Sequence, residues 1–306
     1  MSLSDDVRSE LAAIAPARDC DRLAELSGLF HAAGSVHLRG RGEVGVHLDL
    51  ASSAVARRAF SLLRDCGVES ELRTYRRRAF EGATRYQLHV PGTEAALRLL
   101  HRAGVLDLHG RPLEHPPRRV VGRGCCRRAY LRGALLGAGS LSGPRDPHLE
   151  VRTAGVAGAS FAAAVAAQEG AHLAVHDRGR HAVAYAKGTD AIGDVLAAAG
   201  ASDVVLALEE RAVLAATRER ANRLANADHA NLVRSSRAAH GQTQAVRRLR
   251  DAGRLADLPR ALRDIAELRL RHPTLSLAEL GRKCEPPTTK ATAFRRLRKL
   301  QQLAER

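Results

Sequence analysis

At 306 residues the chain is long enough for about two domains, each able to bury its own core, which excludes a single small module. Apolar residues make up 45% and charged residues 27%, and Gly, His, Gln or charge interrupts every Ala-rich apolar run well before the ~20 residues that a membrane span needs. The 49 Lys and Arg against 33 Asp and Glu leave a formal net charge of +16.

The segment 1–19 is expected to be an N-terminal helix. Its first fifteen residues mix Asp5, Asp6, Arg8 and Glu10 among apolar residues, without the basic start and apolar middle of a secretory signal, so the chain is expected to be cytoplasmic. Five cysteines stand at 20, 66, 125, 126 and 284, an odd number with no CxxC and no Cys/His cluster at zinc spacing. Neither a disulfide framework nor a metal site is expected, and the Cys125-Cys126 pair and its counterpart Cys20 are read as small thiols packed in a helix interface.

An internal repeat organises the next two hundred residues. Cys20 to Ser35 aligns with Cys125 to Ser140 at an offset of 105, with identities that include Arg22 and Arg127, Leu26 and Leu131, Gly28 and Gly133, and Gly34 and Gly139. His47-Leu48-Asp49-Leu50 then matches His148-Leu149-Glu150-Val151 at offset 101, and Gly92-Thr93-Glu94 matches Gly188-Thr189-Asp190 at offset 96. The falling offset means shorter loops in the second copy.

In the first copy, residues 20–33 carry a helical stripe of Leu23, Leu26, Phe30 and Ala33, with Gly34 placed to end the helix as a left-handed cap. Strands are predicted from Val36 and over Val44–Leu50, around a Gly40–Gly42 turn. A helix at about 52–66, strands near 68–77 and 84–90, and a helix over 93–103 follow. Each copy is therefore αββαββα. Repeat 1 is placed at 20–108, a linker at 109–124 and repeat 2 at 125–208. Interior Gly costs a helix about 1 kcal/mol relative to Ala, so the paired Gly28 and Gly133, among small neighbours, point to two helices crossing with close backbones.

Residues 209–254 read as a helical connector broken by Gly241 and by Asp251-Ala-Gly253, and 255–306 as a compact helical domain. Leu258-Pro259 opens a helix over 260–271, which His272-Pro273 stops. Ser276-Leu-Ala-Glu279 is a capping box for a short helix ending near Lys283. Cys284-Glu-Pro-Pro287 forces a turn, and Thr288 then caps a last helix whose apolar stripe is Phe294, Leu297, Leu300 and Ala304. This is the layout of a helix-turn-helix. From Arg211 onward there are 22 Lys and Arg against 9 Asp and Glu, a net +13, which leaves +3 for residues 1–210. Such a basic segment points to double-stranded DNA, because each phosphate contact releases condensed counterions. Thr289, Lys290 and Thr292 are the candidates for groove contact and Arg296, Arg298 and Lys299 for phosphate, with Thr288 and Arg295 completing the expected DNA-binding set. The strand region 71–90 adds a smaller excess through Arg73, Arg76, Arg77, Arg78 and Arg85 against Glu71 and Glu81.

The helices Leu26-Ser-Gly-Leu-Phe-His-Ala-Ala-Gly34 and Leu131-Arg-Gly-Ala-Leu-Leu-Gly-Ala-Gly139 resemble the paired signature helices of LAGLIDADG homing endonucleases. The resemblance implies an α+β fold with a pseudo-twofold duplicated domain, in which Gly28, Gly34, Gly133 and Gly139 line the repeat interface. In that family an acid near the helix end holds the catalytic metal, but Ala33 and Ala138 stand here, and a methyl offers no oxygen to a hard cation. No catalytic residue and no cofactor are expected, and His31 beside this position reads as a structural histidine.

With Asn222-Arg-x-x-Asn226, Leu275-Ser-Leu-Ala-Glu-Leu-Gly281 and Arg296-Leu-Arg-Lys-Leu300 added, the whole chain resembles the WhiA family of bacterial sporulation and cell-division regulators. The resemblance implies a non-enzymatic, nucleoid-associated transcription factor that acts on RNA polymerase and, in actinobacterial members, cooperates with a WhiB-type iron-sulfur protein. Ala291-Thr292 and Arg295 stand where members usually carry Ser-Gly and a later His, which leaves the target sequence open. Two other readings remain at this level, a protein-interaction scaffold in cell division and a metal-dependent endonuclease.

Overall fold

The computed structural model describes residues 2–38, 44–76, 84–143 and 146–305. The predicted Gly40–Gly42 turn, Arg77, Arg78 and Glu81 lie outside them. The chain divides into two compact units, Met1–Ala216 and Thr217–Arg306.

The first unit contains the predicted repeat. After α1 (Leu3–Ala13), one copy runs α2 (Asp19–Ala33), β1 (Gly34–Leu38), β2 (Val44–Leu50), α3 (Ser53–Asp65), β3 (Glu71–Arg76), β4 (Thr84–Pro91) and α4 (Glu94–Arg102). The other runs α5 (Gly124–Ala138), β5 (Gly139–Ser142), β6 (His148–Thr153), α6 (Val156–Ala167), β7 (Ala174–Asp177), β8 (Ala182–Lys187) and α7 (Thr189–Ala199). Each copy builds one antiparallel sheet of the same order, β1-β2-β4-β3 and β5-β6-β8-β7. Opposed residues such as Val46 and Val90, or Leu48 and Leu88, alternate with polar ones and turn their side chains into a core shared with the helices.

The two signature helices α2 and α5 form the centre of that core. They carry the predicted small residues because their backbones nearly touch. A β-carbon on Gly28 would lie 2.2 Å from the Tyr130 carbonyl oxygen, and one on Gly133 would lie 2.0 Å from that of Glu25. The expected left-handed cap at Gly34 is not what the chain adopts. Gly34 has φ −83°, an extended conformation that starts β1, and Gly139 matches it at φ −72°. Space requires glycine there, since an added β-carbon would meet the carbonyl oxygen of Phe30 or Leu135 at 2.4 Å.

Charge crosses this interface as well. The Glu25 carboxylate is fully buried and accepts from Arg58 Nε at 2.8 Å and from Arg132 Nε at 2.9 Å, while Arg132 Nη1 donates to the Ala199 carbonyl at 3.3 Å. Glu25 thus ties α3 of one repeat to α5 of the other. Helix α1 covers the edge of the second sheet. Ser4 Oγ exchanges hydrogen bonds with the backbone of Leu141, and Arg8 donates to the Gly139 carbonyl at 2.9 Å. Glu10 accepts from the free amides of Asp203 and Val204, capping the next helix, α8 (Ser202–Asp251), from outside.

The second unit is helical. It takes the C-terminal part of α8 together with α9 (Arg260–Arg271), α10 (Leu277–Lys283) and α11 (Lys290–Ala304), around Val246, Leu249, Ile265, Leu280, Leu297 and Leu300. The predicted break at Gly241 does not occur, and α8 continues to Asp251. A lone glycine lowers helix stability without ending the helix, and here Gln301 packs 3.4 Å from where its β-carbon would be.

Candidate nucleic-acid interface

Helix α10 begins at a complete capping box. Ser276 Oγ accepts from the Glu279 amide, and the Glu279 carboxylate accepts from the Ser276 amide at 2.9 Å. The turn before it is organised by Arg269, only 1% exposed, whose Nη1 donates to the carbonyls of Leu275 at 2.7 Å and Pro273 at 3.3 Å. This arginine is inside the fold, where burial pulls its guanidinium below the ordinary range, and it is not available to a phosphate.

The approach of α10 to α11 depends on Gly281. The Thr288 amide donates to the Gly281 carbonyl at 2.8 Å, and a β-carbon on Gly281 would fall 2.5 Å from the Thr288 carbonyl oxygen. Thr288 is therefore bound to α10. The cap of α11 is Thr289, not the expected Thr288, and its hydroxyl accepts from the Thr292 amide at 3.2 Å. The sequence places Gly281 at the end of the Leu275–Gly281 segment without assigning it a role, and only its close approach to Thr288 reveals one.

Helix α11 buries Ala293, Leu297 and Leu300 and half-buries Ala304. Phe294 departs from the expected stripe, because Ala293, four residues before Leu297 and seven before Leu300, takes the inward place. The ring is 47% exposed and joins the outward face with Lys290, Arg295, Arg298 and Lys299. Thr289 and Thr292 hydroxyls lie 3.0 Å apart, and Arg295 Nη2 reaches the Thr292 hydroxyl at 3.4 Å, so three residues of the expected DNA-binding set form one polar row beside the helix N-terminus. Arg296 differs from its neighbours in being half-buried and facing Cys284, whose thiol burial pushes up and the guanidinium partly restores.

In the first unit the ends of the signature helices present Ala33 and Ala138, both half-buried, with a β-carbon on Gly137 falling 3.3 Å from the Ala33 methyl. His31 next to them has Nδ1 2.8 Å from the Ser27 carbonyl, and burial holds the imidazole below its ordinary range. On the sheets several exposed charges are already paired. Arg73 holds Glu71 at 2.6 Å, Arg178 holds Glu150 at 2.8 Å, and the Tyr75 hydroxyl donates to Asp49 at 2.6 Å. At the opposite ends of the signature helices, Cys20, Asp21, Cys125 and Cys126 come together although no spacing in the sequence suggests a site. Burial, then hydrogen bonding with Cys20 and Cys125, pushes the Cys126 thiol up to about 12. The 105-residue offset that pairs Cys20 with Cys125 was the one signal that could have placed them together.

A duplicated domain with Ala33 and Ala138 at the ends of its paired helices, joined in one chain to a basic helix-turn-helix, defines a helix-turn-helix protein built on a LAGLIDADG-like scaffold. Family models match in three adjoining parts: the WhiA N-terminal LAGLIDADG-like domain over residues 19–106, the WhiA LAGLIDADG-like domain over 127–218, and the WhiA C-terminal HTH domain over 221–304. The chain is 35% identical over its whole length to a probable cell division protein WhiA of Heliobacterium modesticaldum, covering 96% of that protein. It is 36% identical to the same-named protein of Symbiobacterium thermophilum, again over its whole length and 98% of the relative. The crystal structure of full-length WhiA from Thermatoga maritima shares the fold, with a TM-score of 0.57 at 21% identity over 100% of this chain and 98% of that one. The chain belongs to the WhiA family.

Proposed function

We propose that this protein is a non-enzymatic, sequence-specific DNA-binding regulator of transcription that acts in cell division, chromosome segregation or sporulation. The observation that carries the reading is the outward face of α11, where Lys290, Arg295, Arg298 and Lys299 stand exposed along a helix capped by Thr289. In a helix-turn-helix the first turns of the second helix enter the major groove. Thr289, Lys290, Thr292 and Arg295 then contact base edges, and Arg298 and Lys299 hold phosphates. Phe294 adds an exposed ring suited to a thymine methyl, while half-buried Arg296 and Thr288, tied to Gly281, support the helix from behind.

Relatives named as probable cell division proteins support the cellular role. Ala33 and Ala138 support a scaffold that does not cut. In this reading the working parts are repeat 1 (20–108), repeat 2 (125–208) and the helix-turn-helix domain (255–306), with 1–19, 109–124 and 209–254 as accessory and connecting segments. The protein works at the nucleoid in the cytoplasm, with a WhiB-type iron-sulfur protein and RNA polymerase as its partners.

The test is capture of genomic DNA fragments by the full chain in the presence of Mg²⁺. Enrichment of a shared sequence in intact fragments supports the proposal. Uniform recovery of all fragments, or cleavage, overturns it.

A further inference from the structure

The first turns of α2 and α5 meet at the end of the helix pair away from Ala33 and Ala138. There the sulfurs of Cys20, Cys125 and Cys126 and a carboxylate oxygen of Asp21 all lie within 4.8 Å of one another. Cys125 Sγ is 3.9 Å from Cys126 Sγ, and Cys20 Sγ is 3.5 Å from Asp21 Oδ1. Around a tetrahedral zinc ion with sulfur at about 2.3 Å and oxygen at about 2.0 Å, two sulfurs stand about 3.8 Å apart and a sulfur and an oxygen about 3.5 Å. Both observed separations already match those the ion would impose.

We propose that Cys20, Asp21, Cys125 and Cys126 form a zinc-binding site that joins the two repeats at the start of their signature helices. Each repeat supplies two ligands, so the ion bridges the pseudo-twofold interface. The set of three thiols and one carboxylate selects among metals. Thiolates exclude Mg²⁺ and Ca²⁺, and the hard oxygen turns the preference from a soft monovalent ion to Zn²⁺.

The surroundings suit the charge. Three thiolates and a carboxylate around a dication leave an excess of two negative charges. Arg18 Nη1 stands 3.8 Å from Cys125 Sγ, and the starts of the two helices, neither capped by a side chain, add positive potential. Cys20, Asp21 and Cys125 are half-buried and Cys126 buried, a depth at which an ion can enter yet be shielded from bulk water. The site is independent of the DNA-binding reading. It acts on the folded state, because its two pairs of ligands stand 105 positions apart in the chain and meet only when the repeats are packed.

The experiment is titration of the full-length, reduced, metal-stripped protein with Co²⁺ as a spectroscopic substitute, followed by displacement with Zn²⁺. The expected result is one equivalent of tetrahedral Co²⁺ with thiolate charge-transfer absorption, bleached by Zn²⁺, and an unfolding midpoint that rises with free Zn²⁺. Cys20→Ser and Cys125→Ser should abolish the tetrahedral spectrum, whereas Cys66→Ser and Cys284→Ser, outside the cluster, should keep it. A weak octahedral spectrum in the unsubstituted protein overturns the proposal without any variant having to fold. So does a tetrahedral spectrum that survives both Cys20→Ser and Cys125→Ser.

Discussion

Gly133 in one signature helix faces the carbonyl oxygen of Glu25 in the other, so closely that a β-carbon on Gly133 would lie 2.0 Å from that oxygen. The opposing atom is backbone and cannot swing aside. Gly133→Ala must push α2 and α5 apart and open the core they share. An overpacking cost of about 3 kcal/mol is expected. Thermal unfolding should show the first unit melting well below the unsubstituted protein, while Gly170→Ala, at a position with a left-handed backbone but open space, should cost less.

The same Glu25 places a buried carboxylate between Arg58 and Arg132. Glu25→Ala leaves two mostly buried guanidiniums without their anion. Removal of one member of a buried ion set costs about 3–5 kcal/mol, and denaturant unfolding should show a loss of that order. Because Glu25 joins the repeats, Arg132→Met in the same background should recover part of the loss, as the second uncompensated charge leaves the core.

His31 makes stability depend on pH. Burial lowers its pKa from the ordinary 6.5, and His115 adds to this, against the opposing pull of the Ser27 hydrogen bond. Between the lowered value and 6.5 the unfolded chain binds a proton that the folded chain does not. Stability is therefore fully present above about pH 6.5 and declines as pH falls toward the folded value, by up to about 1.4 kcal/mol per pH unit. The difference in unfolding midpoint between the unsubstituted protein and His31→Gln should narrow from pH 7.5 to pH 5.5. A constant difference would show that His31 does not titrate between these states.

Gly281 sets the approach of α10 to α11, with the Thr288 carbonyl 2.5 Å from where its β-carbon would be. Gly281→Ala should cost about 2 kcal/mol in the second unit. It should also weaken DNA binding, although residue 281 itself is buried, because it displaces the start of α11.

Much of this architecture is legible in the sequence because duplication leaves a constant offset, and paired glycines in paired helices have few explanations other than close crossing. What stays hidden is decided by neighbours far along the chain. Gly34 invites a left-handed cap, but the Phe30 carbonyl, not the backbone angle, excludes a side chain there. Thr288 and Thr289 are equivalent as caps until Gly281 takes the Thr288 amide. Ala293 and Phe294 compete for one inward position, and the smaller residue fits beneath the packed helices. Cys20 and Cys125 lie too far apart for any metal-binding spacing, and only the packed repeats unite them.

The most direct measurement of the central claim is the salt dependence of DNA binding by the full chain and by Arg298→Ala, Lys299→Ala and Arg295→Ala. If α11 reads the major groove, log K falls steeply with log salt concentration. Each of Arg298→Ala and Lys299→Ala should then lower the slope by about one while weakening all sequences alike, and Arg295→Ala should relax the sequence preference by about 1–3 kcal/mol. Unchanged slope and preference in all three variants would contradict the account and move DNA contact away from this helix.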